Sequence, residues 1–362
     1  MRKKVLIAMS GGVDSSVAVY LMKQRGFDCI GATMKLFNNK DVGESIEKSC
    51  CSLDDVDDAR NVAFKLGVQH YIFNFTLDFN KHIIGKFIES YKSGTTPNPC
   101  IDCNRYMKFE KFLLRAMQLD TDYMVTGHYA RIEYNEKSNR YLLKKAIDNS
   151  KDQSYVLYAM TQEQLKRTIF PLGELHKSKV REIAERENFV NAKKHDSQDI
   201  CFVRNGDYAA FIEQYTEQAY ESGSFIDMNG NILGGHNGTI RYTVGQRHGL
   251  GLSLSTPMYV RSIDTRNNTV TLCENHELLS TTLVAKDFNW IAYEGISAPV
   301  RIKAKIRYKH QEEWSTAMQI ADGMVKIEFD EPQRAIALGQ AVVLYDDDVV
   351  VGGGTISETS LS

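Results

Sequence analysis

The sequence predicts an α/β protein: a doubly wound parallel sheet at the amino-terminal end, a small mixed central domain and a carboxy-terminal β-barrel. Two observations support this order. Up to about residue 203, short apolar strands alternate with amphipathic helices, which is typical of a parallel sheet covered on both faces. From about Thr269, short strands alternate with glycine and aspartate turns, as in small barrels or sandwiches. We therefore expect domains over residues 1–203, 204–272 and 273–362.

The spacing of apolar residues predicts the individual elements. In the first domain, strands are predicted at residues 5–9, 29–34, 70–75 and 123–127, with helices at 14–25, 52–66, 79–91 and 108–118. Ser52 is the expected N-cap of the second helix. A helix at residues 208–220 precedes a glycine-rich, turn-rich stretch at 223–251. Later strands are predicted at residues 270–273, 300–310, 324–329 and 341–345.

The composition is that of an ordinary soluble globular protein, with 43% hydrophobic and 25% charged residues in a chain of 362. No apolar run reaches the length of a membrane span or of a signal-peptide core, so we expect a cytoplasmic protein without a membrane partner. Seven cysteines, an odd number, do not predict a disulfide framework. A net charge of -2 excludes a uniformly basic nucleic-acid binder and leaves room only for a local basic stripe.

A glycine- and serine-rich loop, residues 10–16, joins the first strand to the first helix. Gly11 and Gly12 let the backbone turn sharply and approach a ligand, and the helix N-terminus offers N–H groups and a positive dipole end to an anion. Three serines add hydroxyl donors, and Asp14 is a candidate ligand for Mg²⁺. The loop lacks the Gly-Lys-Ser/Thr ending of a Walker A motif. A serine-capped helix without a ligand is the alternative interpretation of the glycine pair alone.

Cys100 and Cys103 form a Cys-x-x-Cys pair in a segment that two prolines stiffen, and we expect irregular backbone there. Cys103 is predicted at the N-terminus of the following helix, where the helix dipole favours a thiolate. Cys201 follows a polar string, residues 195–199, and enters an apolar run. Three chemistries stay open: structural zinc, which usually needs a fourth ligand, an iron–sulfur cluster on these three thiols, or sulfur transfer through a persulfide and a disulfide.

Two other cysteines, Cys29 and Cys273, occupy predicted strands and are expected to be small core residues.

Residues 300–309 alternate between cations and apolar residues, which predicts a strand with one basic face. The cations are Arg301, Lys303, Lys305, Arg307 and Lys309. A solvated outer face is the alternative, since lysines often guard exposed strand edges. Five cations without intervening acidic residues exceed what solubility requires, so we favour contact with nucleic-acid phosphates.

Six motifs in order resemble the bacterial tRNA-specific 2-thiouridylase family of the ATP pyrophosphatase (PP-loop) group, which splits ATP to AMP and pyrophosphate. The first three motifs are Ser-Gly-Gly-Val-Asp-Ser-Ser from residue 10, Asn-Pro-Cys-Ile-Asp-Cys-Asn from residue 98 and Thr-Gly-His-Tyr-Ala from residue 126. The other three are Lys-Asp-Gln-Ser-Tyr from residue 151, Ser-Gln-Asp-Ile-Cys-Phe from residue 197 and Tyr-Thr-Val-Gly-Gln-Arg-His-Gly from residue 242. The resemblance covers residues 5 to about 354. It implies an adenine-nucleotide hydrolase-like first domain and synthesis of 2-thiouridine at the wobble position of tRNA.

The resemblance also implies roles for single residues. Cys103 matches the nucleophile, and Cys201 matches the residue that receives sulfur as a persulfide. ATP contacts are implied at Ala8, Met9, Ser10, Gly11, Gly12, Val13, Asp14, Ser15, Met34 and Gly127. Contacts with the target base and the tRNA are implied at Asn98, Pro99, Cys100, His128, Lys151, Asp152, Gln153, Arg307, Tyr308 and Gln340. Cys100 departs from the family pattern, because many members carry aspartate there; a third thiol keeps a [4Fe-4S] cluster on Cys100, Cys103 and Cys201 open.

The resulting expectation is a sulfurtransferase that uses ATP and Mg²⁺, acts on the tRNAs for Lys, Glu and Gln, and receives sulfur from a cysteine desulfurase or a sulfur-relay protein. Three rivals explain less. A small-molecule synthetase accounts for the loop but neither for Cys103 and Cys201 nor for the basic strand. A sulfur carrier or cluster scaffold would not act on RNA, and a catalytically idle tRNA-binding module would release no pyrophosphate.

Overall fold

The computed structural model describes residues 2–37, 53–196, 200–203 and 206–360. The predicted cap at Ser52, the neighbouring cysteines at 50 and 51, and the motif residues 197–199 lie outside the described residues. The chain divides into two compact units. Unit 1 comprises Met1–Ile83, Cys100–Gly206 and Asp347–Val350, and unit 2 comprises Ile84–Pro99, Asp207–Asp346 and Val351–Ser362.

A parallel sheet forms the centre of unit 1, as the alternation of strands and helices predicted. The strands of unit 1 are β1 (Lys4–Ala8), β2 (Asp28–Lys35), β3 (Gln69–Asn74), β4 (Tyr123–Val125), β5 (Arg131–Asn135), β6 (Arg140–Lys144) and β7 (Thr168–Ile169). Five of them pair in the order β3-β2-β1-β4-β7, all parallel. The chain leaves β1 toward β2 on one side and returns to β4 on the other. The carboxyl ends of β1 and β4 therefore open a crevice at the switch point, where such sheets bind ligands.

Helices connect the strands of the sheet and continue into unit 2. They are α1 (Val13–Gln24), α2 (Leu53–Lys65), α3 (Thr76–Phe79), α4 (Gly85–Lys92), α5 (Pro99–Asp102), α6 (Leu113–Gln118), α7 (Gln162–Lys166), α8 (Lys177–Arg186) and α9 (Tyr208–Thr216). Asn80–Ile84 and Cys103–Phe112 are π-helical, and Ser154–Leu157, Thr239–Arg241 and Asn275–Leu278 are short 3₁₀ turns. No helix among the described residues is long and apolar enough to cross a membrane.

The core of unit 1 packs α1 and α8 against the sheet. Val5, Ile7 and Val17 are fully buried in one cluster with Val180 and Ile183 of α8. Each fully buried aliphatic side chain of this size contributes about 1.5–3 kcal/mol. This packing fixes the strand ends from which the site residues extend.

An antiparallel hairpin, β5 and β6, was not predicted from the sequence. Within unit 1, β6 pairs with Val349 and Val350. β5 does alternate polar and apolar residues, Arg-Ile-Glu-Tyr-Asn, but the run is only five residues long and none of them is buried, so it contributes no buried apolar face.

Unit 2 contains a sheet and a closed barrel. Its strands are β8 (Gly223–Ile226), β9 (Ile232–His236), β10 (Tyr259–Asp264), β11 (Thr269–Cys273), β12 (Leu279–Trp290), β13 (Val300–Lys305), β14 (Glu313–Ala321), β15 (Met324–Arg334), β16 (Ala341–Asp346) and β17 (Val349–Thr359). The first four form a sheet in the order β10-β11-β8-β9, of which β8 and β9 lie in the stretch predicted to be turns. The other six follow the order β12-β15-β14-β13-β16-β17, and pairing of β12 with β17 closes them into the predicted barrel.

Candidate active site and nucleic-acid interface

The loop between β1 and α1 is held in shape by its own serines. The Ser10 amide donates to Ser15 Oγ at 3.2 Å. The Ser15 and Ser16 hydroxyls both donate to the Gly12 carbonyl oxygen at 3.0 Å. With these bonds the hydroxyls stabilise the loop itself, while α1 begins at Val13 without a side-chain cap from the described residues. The first amides of α1 are therefore available to an anion.

Two glycines allow this loop to pack closely against its neighbours. Gly11 has φ +74°, and a Cβ there would lie 2.2 Å from the Asp55 carbonyl oxygen. Gly127 follows β4, and a Cβ there would lie 2.9 Å from the Ser15 amide nitrogen. Both positions therefore require glycine, and the loops after β1 and β4 meet at the crevice.

Asn191 fixes the loop from a distant part of the chain. Its side-chain amide donates to the Gly11 carbonyl oxygen at 2.8 Å and to Ser16 Oγ at 2.9 Å. The side chain is 3% exposed, and its Oδ1 atom has no hydrogen-bond partner among the described residues. Sequence reasoning missed Asn191, because nothing near it in the chain marks it as different from a surface asparagine.

The remaining predicted ATP contacts lie at the same edge of the sheet. Ala8 is the last residue of β1, and the Met9 amide donates to the Ala32 carbonyl oxygen at 2.9 Å, which extends the pairing with β2 by one step. Met34 lies near the carboxyl end of β2. The structure thus brings these residues and the loop together, and their contacts with ATP stay a prediction.

Asp14, in the first turn of α1, is bound by Lys177 of α8. Lys177 Nζ lies 2.7 and 2.8 Å from the two Asp14 carboxylate oxygens, and the Tyr129 hydroxyl donates to Asp14 at 2.7 Å. Burial, followed by the Asp14 charge, raises the pKa of Tyr129, which keeps this hydroxyl protonated as a donor. Lys177 is 8% exposed. Its role was not predicted, because in the sequence it looks like the other lysine of the same helix, which lies at the surface. Asp14 therefore already has a cation.

The Asp196 carboxylate forms ion pairs with three cations. Lys177 Nζ lies 2.7 Å from one carboxylate oxygen and an Arg181 guanidinium nitrogen 3.0 Å from the same oxygen, while Lys151 Nζ lies 2.8 Å from the other. Burial acts to raise the pKa of Asp196, but the hydrogen bonds from Lys151 and Lys177 outweigh it and lower the pKa to about 2. In this structure the ammonium of Lys151, a predicted tRNA contact, lies against this carboxylate.

The two residues after Lys151 hold the backbone. Asp152 accepts from the Ala146 amide at 2.9 Å and from the Ser154 hydroxyl at 2.7 Å. Gln153 Oε1 accepts from the Tyr129 amide at 2.9 Å. The segment is thereby fixed beside the loop that follows β4. Its contact with tRNA stays a prediction.

His128 is buried in that same loop. The Lys108 ammonium, which can only donate, lies 3.2 Å from Nε2, so Nδ1 carries the proton and donates to Thr126 Oγ1 at 2.6 Å. Phe109 and Phe170 pack around the ring. Burial, and then the Lys108 charge, hold the pKa of His128 well below its usual value, so the ring is neutral.

The helix around the Cys-x-x-Cys pair differs from the prediction. It begins at Pro99, so exposed Cys100 lies in its first turn and half-buried Cys103 lies in helical backbone after that turn. The prediction of irregular backbone with Cys103 at a helix N-terminus was wrong, because proline is favoured at the first helical position, where its missing N–H has no partner to lose. From Cys103 the helix widens into a π-helix, a form that is frequent at functional sites.

Cys201 lies in a turn in unit 1 and is half-buried. Its neighbour Phe202 is 1% exposed and packs edge-on against Phe79, with ring centroids 5.7 Å apart, which anchors this turn. Cys100, Cys103 and Cys201 are thiols rather than disulfides. Within the described ranges, no three His, Cys, Asp or Glu side chains are grouped so that they could hold a metal ion. The described residues therefore offer no ready ligand set for zinc or a cluster.

In unit 2 the basic strand is shorter than predicted. β13 ends at Lys305, so only Arg301, Lys303 and Lys305 share a strand face. The chain then turns, with the His310 amide donating to the Arg307 carbonyl oxygen at 3.1 Å. The alternation of residue types continues past the strand end, which is why it misled the prediction.

The basic face also has an acidic neighbour and an aromatic one. Arg301 pairs with Asp330 of β15 at 2.6 Å, so an acidic residue from outside the segment neutralises one of its cations. Arg301 and Lys303 both lie over the ring of Trp314, at 5.0 and 5.3 Å from its centre. Trp314 is 47% exposed, and no role was predicted for it from the sequence. Cations beside an exposed aromatic ring are a common feature of protein surfaces that bind nucleic acids.

The other predicted tRNA contacts of unit 2 are held by the backbone. Arg307 donates to the Ala335 carbonyl oxygen, and Tyr308 is 38% exposed. The Gln340 side chain donates to the Thr96 and Pro97 carbonyl oxygens at 2.9 and 3.2 Å. Gln340 therefore lies against the segment that continues into Asn98 and Pro99, both predicted to meet the target base.

Known proteins resemble this chain over its whole length. Residues 3–205 match the family model of the tRNA methyl transferase HUP domain, residues 209–274 the tRNA methyl transferase PRC-barrel domain, and residues 280–356 the aminomethyltransferase beta-barrel domain. A solved 4-thiouridine synthetase in complex with RNA and bound ATP is similar at a TM-score of 0.32 and 18% identity, over 59% of this chain and 50% of that chain.

Curated relatives are far more similar. The tRNA-specific 2-thiouridylase MnmA of Clostridioides difficile is 50% identical over 359 residues, 99% of this chain and 99% of that protein. The protein of the same name from Acetivibrio thermocellus is 49% identical over 356 residues, 98% of this chain and 99% of that protein. With a matching family model over more than half of its length and relatives of this identity over nearly all of it, the chain belongs to the tRNA-specific 2-thiouridylase family.

Proposed function

We propose that this chain is a tRNA-uridine 2-sulfurtransferase that adenylates O2 of the wobble uridine (U34) with ATP and then replaces that oxygen with sulfur. The observation that carries the proposal is the glycine loop at the switch point of the parallel sheet, in the same unit as Cys103 and Cys201. The loop supplies an anion site and the two cysteines supply the sulfur chemistry. The curated relatives, which carry this activity in their names, support the same conclusion.

ATP enters as its Mg²⁺ complex. Because Asp14 is already bound by Lys177, the ion would take most of its ligands from phosphate oxygens and water, as Mg²⁺ commonly does. The amides at the start of α1 would hold the leaving pyrophosphate, and the requirement for glycine at Gly11 and Gly127 keeps side chains out of that space. The uracil O2 attacks the α-phosphate, pyrophosphate leaves, and O2 becomes part of a good leaving group.

The sulfur step uses the two thiols in different roles. A terminal persulfide sulfur on Cys201 attacks C2, and AMP leaves with the former O2. The Cys103 thiolate then attacks the Cys201 sulfur, so that a Cys103–Cys201 disulfide forms and 2-thiouridine is released. A thiol reductant resets the disulfide. Two variants of this step stay open: Cys103 releases hydrosulfide from the persulfide before attack, or Cys103 first attacks C2 itself.

A substitution at Cys100 can distinguish the persulfide route from an iron–sulfur route. If sulfur passes through the persulfide, Cys100→Asp restores the residue common in the family and retains activity. If a [4Fe-4S] cluster on Cys100, Cys103 and Cys201 is used, the same substitution removes a ligand and reduces iron-dependent absorbance together with activity. The exposed thiol in the first turn of the helix makes this variant structurally mild.

We assign the chemistry to residues 1–203, and tRNA contacts mainly to residues 204–272 and 273–362. The tRNA partners proposed are those for Lys, Glu and Gln, and the sulfur donor is a cysteine desulfurase or a relay protein in the cytoplasm. Uridine 34 must leave its stack to reach a buried group such as His128. On the basic face of unit 2, Arg301 and Lys303 are suited to contact the tRNA phosphates, and the Trp314 ring is suited to stack on a base.

The decisive experiment is nucleoside mass spectrometry after incubation of the protein with unmodified tRNA, ATP and a sulfide or persulfide source. We expect 2-thiouridine, with AMP and pyrophosphate formed in step with it. A tRNA with cytidine at the wobble position and an ATP analogue with a non-cleavable α,β-linkage serve as controls, and both should give none. Pyrophosphate release without tRNA would favour a small-molecule synthetase instead.

A further inference from the structure

Lys177 connects two parts of unit 1 that the proposed function uses at different steps. Its ammonium lies 2.7 and 2.8 Å from the Asp14 oxygens and 2.7 Å from an Asp196 oxygen. Asp14 belongs to the helix that begins at the ATP loop, and Asp196 shortly precedes Cys201 in the chain. One ammonium thus bridges the nucleotide loop and the segment that leads to the sulfur-accepting thiol.

The burial of this ammonium makes the bridge sensitive to new charge. Lys177 is 8% exposed, so its charge needs carboxylate partners close by. Phosphates at the loop add negative charge beside Asp14 and compete with Asp196 for the same ammonium. Asp196 can give up one partner, because Lys151 and Arg181 also hold it at 2.8 and 3.0 Å. Nucleotide binding would therefore change how Asp196 is held without leaving a buried charge unpaired.

We propose that Lys177 is a positioning residue that couples nucleotide binding at the loop to the placement of the Cys201 segment. The inference rests on the proposed function, since it concerns the timing of that function's two steps. Adenylated uridine is useful only when sulfur is ready to attack. If sulfur is misplaced, water attacks instead, AMP leaves, and the C2 carbonyl of uridine is restored with no sulfur incorporated.

The test is the ratio of AMP formed to 2-thiouridine formed in an Asp196→Asn variant. This change keeps the size of the side chain, removes its charge, and leaves Lys177 paired with Asp14. We expect the ratio to rise by about tenfold or more relative to wild type, while the KM for ATP changes by less than about threefold. Glu182→Gln is the matched control, because Glu182 is an exposed acidic residue on α8 that pairs with nearby Lys179 at 2.7 Å, and its ratio should stay at the wild-type value.

A merely structural role would lower AMP and 2-thiouridine together and leave their ratio unchanged, and that result would overturn the proposal. Lys177→Met and Lys177→Arg give a second arm: arginine should restore much of the coupling that methionine loses. If methionine prevents folding, Lys177→Arg and Asp196→Asn decide the question. Failure of the proposed function looks different, because the wild-type protein itself would then make no 2-thiouridine.

Discussion

The site in unit 1 and the basic face in unit 2 are built in opposite ways. In unit 1 the polar groups are buried or half-buried and each has particular partners: Asp14 faces Lys177 and Tyr129, and His128 lies between Lys108 and Thr126. In unit 2 the cations lie on the less buried side of β13, and Arg301 and Lys303 share one indole ring.

The difference determines how each region responds to mutation. A buried group that loses its partner leaves a desolvated donor, acceptor or charge, so single changes in unit 1 should have large effects. Exposed cations act through a summed field that salt screens, so each one in unit 2 should contribute little. Variants with large, intermediate and small expected effects can therefore test this difference between the two regions.

The largest effect is expected from the thiols. Cys103→Ser and Cys201→Ser should each reduce thiolation by about 10³-fold or more, because a hydroxyl neither carries persulfide sulfur nor forms the disulfide. ATP binding, measured by calorimetry, should be retained in both. Cys29→Ser is the matched control: burial raises the pKa of Cys29 to about 11, so this thiol is protonated at neutral pH and its loss should leave thiolation unchanged. Full activity in either site variant would remove the assigned role.

Next in size is a change of backbone in the ATP loop. Gly11→Ala places a Cβ 2.2 Å from the Asp55 carbonyl oxygen at a φ of +74°, so the loop must move. We expect ATP affinity to fall by about 10²-fold. Gly26→Ala tests the same type of backbone, φ +82°, with nothing within 4 Å, and should cost only about 1 kcal/mol of stability. If both variants bind ATP as wild type does, the close contact at Gly11 does not shape the nucleotide site.

The parts of the unit 1 site were also unequally predictable from the sequence. The glycine loop was predictable because strand, loop and helix are consecutive in the chain, and the requirement for glycine is local. Lys177, Asp196 and Asn191 were not, because their partners lie far away in sequence and the residues resemble surface residues. Only packing at the crevice shows that Lys177 is buried.

Two local predictions failed for a related reason. The alternation in residues 300–309 continues although the strand ends at Lys305, since residue types alone do not show where a turn begins. Pro99 was interpreted as a helix breaker, although at the first helical position proline starts a helix as readily as it ends one elsewhere. In both segments the residue pattern was correct and the position of the boundary was not.

A smaller effect on stability should follow from His128. Its pKa in the folded protein is held well below 6.5, so the unfolded chain takes up a proton first as the pH falls through that value. The free energy of unfolding should therefore be highest above pH 6.5 and decrease as the pH falls, by at most about 1.4 kcal/mol per pH unit for one proton. Urea unfolding of His128→Gln should show a flatter pH dependence than wild type.

The smallest effect is expected on the basic face, and its form matters more than its size. Lys303→Ala should weaken tRNA binding by about threefold to tenfold and reduce the slope of log Kd against log salt by about 1. Removing Arg301 together with its partner Asp330 leaves the net charge unchanged, so that double variant should keep the wild-type slope. Titrations of labelled tRNA at several salt concentrations measure both. If the double variant loses as much slope as Lys303→Ala, Arg301 contacts phosphate individually, and the face in unit 2 works by specific partners as the site in unit 1 does.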